Sequence, residues 1–132
     1  MIFLDANVVL RFLLIDDPLL SPKAKDIFEK IDGGEKVFIP SVIIAELVYV
    51  LLKVYKFPRV EISQKLLQVI LKENILTENK TIYKGVFKIF VSKNIDFEDA
   101  YMVSLMGKKK VSELYSFDKD FDKFTDIKRL TG

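Results

Sequence analysis

Short apolar runs that alternate with helix-length segments constrain this chain more than any other feature. The runs Ile2-Phe3-Leu4 and Val37-Phe38-Ile39 have no polar residue on either face, which is typical of strands buried on both sides in a parallel sheet. Each run leads into a segment whose apolar residues recur at helical spacing. Strands that alternate with helices in this way predict an α/β sandwich around a mostly parallel sheet.

Caps and breakers set the predicted element boundaries. Ser21-Pro22 supplies an N-cap and a first-position proline for one helix, which Gly33-Gly34 ends. Ser41 is the predicted N-cap of a long apolar helix, and Gly107 is the predicted end of a later one. The predicted helices cover residues 8–14, 21–31, 41–55, 81–92 and 96–106, and a further helix after Pro58 has apolar residues at helical spacing at 62, 66, 67, 70 and 71. The predicted strands cover 2–4, 37–39, 75–76, 114–117 and 127–130.

The chain length suits one hydrophobic core, because 132 residues lie within the usual size of a single domain. No internal repeat, glycine-serine linker or charge block divides the sequence. We therefore predict one domain over residues 1–132, with a three-layer α/β/α sandwich and a central, mostly parallel sheet of four to five strands.

Composition excludes several kinds of chemistry. The chain has no histidine and no cysteine, so an imidazole base, a thiolate nucleophile, a disulfide and a His/Cys metal site are all excluded. The net charge of +2 is too small for a protein that binds nucleic acid mainly through its overall charge, although local basic patches remain. We find no signal peptide and no apolar stretch of membrane-spanning length, and we expect a cytoplasmic protein.

Acidic residues stand where two predicted strands end. Asp5 directly follows the first strand, and Asp118 directly follows the strand that ends at Phe117. Because the functional crevice of an open parallel sheet lies beyond the carboxyl ends of its strands, both side chains should point into it.

Two further acids lie in helical segments. Glu46 sits inside an apolar run, where it needs a partner, an ion or an exposed helix face. Asp96, Glu98 and Asp99 open a later helix, and acids at a helix start are also ordinary capping chemistry. Asp99 is the one of these three that we expect to face inward.

Four converging carboxylates would need a cation. Two unit charges about 4 Å apart repel by about 4 kcal/mol at an effective dielectric constant of about 20. If Asp5, Glu46, Asp99 and Asp118 converge, Mg²⁺ or Mn²⁺ is the natural counter-charge. Such a site could hydrolyse a phosphodiester bond without histidine.

Four strings in the chain carry a specific family resemblance. They are FLDANVVL at 3–10, IPSVIIAEL at 39–47, NIDFEDA at 94–100 and YSFDKDF at 115–121. In order and spacing they resemble the four signature regions of the PIN-domain family, across essentially the whole chain. Within that family the chain is most similar to the VapC-type toxins of prokaryotic toxin–antitoxin pairs, which are small Mg²⁺-dependent endoribonucleases.

The resemblance implies roles for particular residues. Asp5, Glu46, Asp99 and Asp118 match the family's four acidic positions, which are both catalytic and metal-binding. The positions implied or considered as supporting the site are Asn7, Asp96, Ser116 and Asp120, and the candidate contacts to RNA or to a partner are Arg11, Lys108, Lys109 and Lys110. For Arg11 a surface ion pair is the alternative, and the pattern of the three lysines favours a solvated helix end, where cations offset the helix dipole.

The resemblance and the composition also predict partners. Half of the residues are apolar, which predicts more apolar surface than one core conceals. We therefore expect a homodimer and an apolar groove for an antitoxin helix, with RNA as the substrate.

Other functions are weaker or remain open. The string Asp5-Ala6-Asn7 lacks the second acid of a haloacid-dehalogenase-like phosphatase, and no glycine-rich turn for a dinucleotide follows the first strand. A PIN nuclease of RNA processing or decay without an antitoxin remains open, as does a catalytically silent PIN-like binding module.

Overall fold

The computed structural model describes residues 1–132, which form two compact units, Met1–Lys80 and Thr81–Gly132. Each unit combines parallel strands with helices, which confirms the predicted α/β class. Five strands are present, three in one sheet and two in another. The single domain over residues 1–132 stays a prediction.

The first unit is built on a three-stranded parallel sheet. Its strands are β1 (Ile2–Phe3), β2 (Val37–Phe38) and β3 (Ile75–Leu76), in the order β1-β2-β3. The ladder extends past the strand ends, since Leu4 donates its N–H to Phe38 at 2.9 Å and Ile39 donates to Leu76 at 2.8 Å. Because all three strands run the same way, the residues that follow them reach the same edge of the sheet.

Four helices connect and flank these strands. They are α1 (Ala6–Leu14), α2 (Leu20–Asp32), α3 (Ser41–Tyr49) and α4 (Arg59–Ile70). A π-helical segment, Val50–Val54, continues directly from α3. The helices bury apolar side chains that include Val9, Phe28, Ile31, Ile44, Leu47, Leu51, Ile62 and Leu66.

The second unit pairs two helices with two strands. Helix α5 (Tyr83–Lys93) follows a short 3₁₀ turn, and α6 (Phe97–Lys109) leads to β4 (Glu113–Tyr115). Strand β5 (Lys128–Leu130) pairs with β4 in parallel after a second 3₁₀ turn, Lys119–Lys123.

Aromatic side chains form the core between α5 and α6. The Phe87 ring lies 5.4 Å from that of Phe97 and meets that of Phe90 edge to face at 6.2 Å. Tilted and edge-to-face aromatic pairs at these distances stabilise the fold by more than the burial of their apolar area alone. Three of the eleven phenylalanines of the sequence, Phe87, Phe90 and Phe97, therefore pack against one another in this unit.

Several predicted helix boundaries are wrong by a few residues. Helix α2 begins at Leu20, with Ser21 buried inside it rather than capping it. Ser41 is the first residue of α3, and Pro40 occupies the N-cap position. Helix α6 continues past Gly107, where no atom crowds the glycine, and ends at Lys110 in a left-handed conformation with φ 57°.

The predicted burial of the first strand on both faces is also wrong. Ile2 and Phe3 are 52% and 67% exposed. The reason is that β1 is an edge strand of its sheet and has a hydrogen-bonded neighbour, β2, on one side only. None of the helices is at once long and apolar enough to cross a membrane.

Candidate active site

Two of the predicted acids belong to the first unit. Asp5 follows β1 and occupies the N-cap position of α1, where its side chain makes no capping hydrogen bond. Glu46 lies in the second turn of α3 and is exposed, so the helix turns it out of the apolar core. The sequence leaves a partner, an ion or an exposed helix face open for Glu46, and the structure gives it an exposed face.

Arg11 is engaged within the first unit. Its Nη1 lies 2.8 Å from Asp16 Oδ1, and its Nη2 donates to the Tyr55 hydroxyl at 3.0 Å. The hydrogen bond to Tyr55 is the main cause of a raised Arg11 pKa, with the Asp16 charge adding to it. The guanidinium therefore makes the ion pair that the sequence offered as an alternative, while Asn7, one turn earlier on α1, is exposed.

The other two acids belong to the second unit, where the pKa of Asp99 is raised. It lies in the first turn of α6 and is half-buried, whereas Asp96 and Glu98 are exposed. Burial raises the pKa of Asp99, and the negative charges of Asp118, Asp96, Glu98 and Asp120 raise it further. The unit therefore gathers negative charge around one partly desolvated carboxyl.

Asp118 is held in a defined turn after β4. Its backbone N–H donates to Ser116 Oγ at 3.0 Å, and its own Oδ1 accepts from the N–H of Asp120 at 2.8 Å. The Asp118 carboxylate thus caps the 3₁₀ turn that follows. The Ser116 hydroxyl therefore contacts the backbone of Asp118. The side chain of Asp120 forms an ion pair with Lys123 at 3.4 Å.

Arg129 is a site-region residue that the sequence analysis missed. Its Nε and Nη2 donate to the two oxygens of Asp122 at 3.0 and 3.1 Å, and its Nη1 donates to the Ser116 carbonyl at 3.2 Å. The Asp122 hydrogen bond raises the Arg129 pKa and lowers that of Asp122. Nothing in the local sequence signals this link, because it depends on the pairing of β4 with β5.

The basic cluster Lys108, Lys109 and Lys110 lies at the end of α6. All three side chains are exposed, and the first two occupy the last turn, where cations interact favourably with the helix dipole. The structure is thus compatible with both readings of this cluster, a solvated helix end and a surface for phosphate.

The four acids predicted to bind a metal ion belong to different units. Asp5 and Glu46 lie in the first unit, and Asp99 and Asp118 lie in the second. Neither unit by itself contains a group of three or more acidic side chains arranged to hold a metal ion. What the second unit does show is a carboxyl whose ionised form is unfavourable, and a nearby cation would relieve that cost.

A cavity of about 840 Å³ opens in the first unit, and neither Asp5 nor Glu46 is among the residues that line it. It is bounded by the end of α1, the start of α2 and the middle of α4. The lining side chains are Phe12, Leu13, Ile15, Asp16, Asp17, Pro18, Ser21, Pro22, Lys25, Lys65 and Gln68. The lining is mainly apolar, and of its two acids Asp16 is paired with Arg11 and Asp17 with backbone N–H groups.

Comparisons with known proteins place this chain beside one family. The model of the PIN domain family matches residues 2–127. A VapC ribonuclease of Aquifex aeolicus (strain VF5) is 28% identical over 120 residues, which covers 91% of this chain and 89% of that protein. The crystal structure of Mycobacterium tuberculosis VapC20, a Sarcin-Ricin loop cleaving toxin, aligns with 96% of this chain and 98% of its own at 17% identity and a TM-score of 0.46.

Proposed function

The chain belongs to the PIN domain family, and from this premise we propose that it is an endoribonuclease that hydrolyses RNA phosphodiester bonds as the toxin of a toxin–antitoxin pair. The family match carries the proposal, because residues 2–127 include all four predicted acids. Similarity to a VapC ribonuclease over nearly the whole of both chains supports the toxin role in particular.

Mg²⁺ or Mn²⁺ is the proposed cofactor, and Asp5, Glu46, Asp99 and Asp118 would hold it. These side chains offer only carboxylate oxygens, which are the ligands that hard divalent cations prefer. When bound, such an ion polarises a phosphoryl oxygen and lowers the pKa of its water. The raised pKa of Asp99 supports this donor set, since a carboxyl crowded by like charges favours a cation beside it.

The remaining site residues have supporting roles in this proposal. Ser116 fixes the backbone of Asp118 at 3.0 Å, and Arg129 holds the Ser116 carbonyl. Asn7, Asp96 and Asp120 would assist the acids as polar neighbours. Lys108, Lys109 and Lys110 would attract RNA phosphates, an interaction that weakens as salt concentration rises.

RNA cleavage with purified protein tests the proposed activity. Wild type should cleave RNA when Mg²⁺ or Mn²⁺ is present, and Asp5→Asn and Asp99→Asn should each reduce the rate by at least about 100-fold. Asp26→Asn, an exposed acid on α2, is the matched control and should cleave at the wild-type rate. Chelation by EDTA should abolish cleavage, and excess Mg²⁺ should restore it.

Three results would contradict the proposed activity. Equal cleavage by wild type and the site variants would mean that a contaminating nuclease is responsible. Cleavage that persists in EDTA would remove the metal-dependent reaction. A folded protein without cleavage under any of these conditions would favour the silent binding module.

The proposed partner is an antitoxin whose helix occupies the cavity at the α1–α2 junction. The volume of about 840 Å³ and the mainly apolar lining suit the apolar face of a helix. Lys25 and Lys65 lie in the lining and suit acidic residues beside that face, and the Lys65 ammonium also lies 3.8 Å from Glu61. A neighbouring gene for a small DNA-binding protein with an amphipathic tail would support this partner, and a gene neighbourhood without one would favour a nuclease of RNA processing.

A further inference from the structure

The first turn of α3 lacks a capping group of its own. Its N-cap is Pro40, whose side chain cannot accept a hydrogen bond, and the turn contains no acidic residue. The Pro40 carbonyl accepts from Ile43 and Ile44, at 2.9 and 3.2 Å. The N–H groups of Ser41 and Val42 find no acceptor within the helix, as is general for the first residues of a helix.

Glu78 supplies an acceptor from a distant part of the chain. Its two carboxylate oxygens lie 3.2 and 3.4 Å from the backbone nitrogen of Ser41, which donates to them. In return, Ser41 Oγ donates to the backbone carbonyl of Glu78 at 3.2 Å, and it lies 3.4 Å from Thr77 Oγ1. A carboxylate at this end of a helix is also favoured by the helix dipole.

The segment that carries Glu78 is itself fixed. Glu78 follows β3 by two residues, and β3 is hydrogen-bonded to β2, the strand that leads into α3. Asn79 turns the chain in a left-handed conformation with φ 54°. Lys80 then donates to the carbonyls of Lys72, at 2.6 Å, and of Ile75. Glu78 is therefore presented to α3 by a short, anchored turn.

The position of the Glu46 carboxylate depends on the direction in which α3 leaves the sheet. Glu46 lies in the second turn of this helix, so a change at the first turn moves its carboxylate. A misplacement of about 1 Å in a group that acts in catalysis can reduce the rate by about 100-fold. We propose that Glu78 is a positioning residue for Glu46, because it binds the first turn of α3 to the end of β3. This inference rests on the proposed metal-dependent function.

Four variants separate the contacts of this link. Glu78→Ala removes the acceptor, whereas Glu78→Gln keeps an oxygen in the same place without the charge. Ser41→Pro removes the N–H at a first helical position, where proline is well tolerated, and Ser41→Ala keeps that N–H but loses the hydroxyl. Glu29→Ala, an exposed glutamate on α2, is the matched control.

Metal affinity without RNA is the first measurement. Titration calorimetry of the metal-free protein with Mn²⁺ should give about tenfold weaker binding for Glu78→Ala and for Ser41→Pro, the size expected when a group that orients a metal ligand is lost. Glu78→Gln, Ser41→Ala and Glu29→Ala should bind as wild type. The double variant Glu78→Ala, Ser41→Pro should bind Mn²⁺ no more weakly than either single variant, because both substitutions remove the same hydrogen bond.

Cleavage kinetics and hydrogen exchange are the second and third measurements. Glu78→Ala should lower kcat for RNA about tenfold with KM unchanged, because RNA binding does not use this link. The first-turn amides of α3 should exchange faster in metal-free Glu78→Ala, while amides of α2 keep their wild-type rates.

The outcomes distinguish this role from the proposed function. Wild-type protein that neither binds Mn²⁺ nor cleaves RNA would overturn the proposed function itself. An active wild type with unchanged Mn²⁺ affinity and kcat in Glu78→Ala would overturn only the positioning role. Glu78→Gln as weak as Glu78→Ala would also overturn it, because charge rather than the hydrogen bond would then be responsible.

Discussion

Asp17 takes at the start of α2 the role that the sequence assigns to Ser21. Both residues precede a proline, so both match the same cap-and-proline signature. Asp17 Oδ1 accepts from the N–H groups of Leu19 and Leu20, at 2.9 and 2.8 Å. Ser21 is instead buried, and its hydroxyl donates to the carbonyl of Arg11 at 2.8 Å. The contact of Ser21 with α1 thus determines which of the two residues, Asp17 or Ser21, caps α2, because the local sequence signals are the same for both.

The Asp17 cap should make stability depend on pH. The two backbone N–H groups, chiefly that of Leu20, lower the Asp17 pKa in the folded state. A lowered folded pKa gives stability that is present above the unfolded value of about 3.9 and is lost as pH falls through the folded pKa. Asp17→Asn keeps an acceptor but has no charge, so its deficit in unfolding free energy should shrink as the solution is acidified.

Urea denaturation between neutral and acidic pH measures this deficit. Asp26→Asn, which removes an exposed acid within α2, provides the comparison. A constant difference between wild type and Asp17→Asn across the whole range would contradict the prediction.

At the scale of elements, α1 ends in a strained conformation. Ile15 is its C-cap residue and is left-handed, with φ 51° and ψ 41°, and it donates its N–H to Arg11 at 3.2 Å. This conformation is unfavourable for a β-branched residue. The side chain is nonetheless 78% exposed and lines the cavity proposed for the antitoxin. Burial of the Ile15 side chain therefore does not offset this strain, and the side chain is available for contacts at the cavity.

Relief of this strain should separate stability from partner binding. Asn tolerates the left-handed conformation, so Ile15→Asn should raise the free energy of unfolding by about 1 kcal/mol. The same change removes apolar surface from the cavity, so it should weaken binding of the antitoxin. Lys56→Asn relieves the same conformation, φ 58°, outside the cavity lining and should stabilise without an effect on the antitoxin. Denaturation and calorimetry measure the two effects, and a less stable Ile15→Asn would refute the strain argument.

The elements also show how far sequence reasoning reaches. The runs predicted as strands at 2–4 and 114–117 correspond to β1 and β4, because a short apolar run that ends in an acid is a local pattern, but β4 ends at Tyr115, so Asp118 lies three residues beyond it rather than directly after it. The sequence predicts one helix over residues 41–55, whereas Val50–Val54 is π-helical. The apolar residues of this segment show no periodicity that would distinguish a π-helix from an α-helix. The contact of Glu78 with Ser41 could not be predicted, because it joins the ends of two strands that are far apart in the chain.

At the scale of the whole molecule, much apolar surface remains accessible to solvent. Large apolar side chains that are at least half exposed include Ile2, Phe3, Ile15, Leu19, Val42, Tyr49, Val54, Val60, Tyr115 and Phe117. The expectation drawn from composition, that more apolar surface exists than one core conceals, is consistent with this distribution. Extensive exposed apolar surface is typical of proteins that associate.

We predict a homodimer in solution on this basis. Sedimentation at micromolar concentration should give a dimer, and the dimer should persist when salt is raised, because apolar contacts are not screened. The dimer should weaken on cooling, as the hydrophobic contribution falls. Sedimentation as a monomer would refute the prediction, and dissociation by salt alone would assign the association to charges instead.

The register of the two sheets has a consequence for synthesis of the chain. Ile2 pairs with Val37 and Val37 pairs with Ile75, whereas Glu113 pairs with Lys128 over a much shorter stretch. A chain that leaves the ribosome from its N-terminus therefore exposes β1 without a partner until β2 emerges, and the first sheet stays incomplete until β3 has been made. The slow closure of such distant parallel pairs leaves an unpaired apolar edge for that interval. Chaperone binding to the nascent chain should therefore be concentrated on its N-terminal strand.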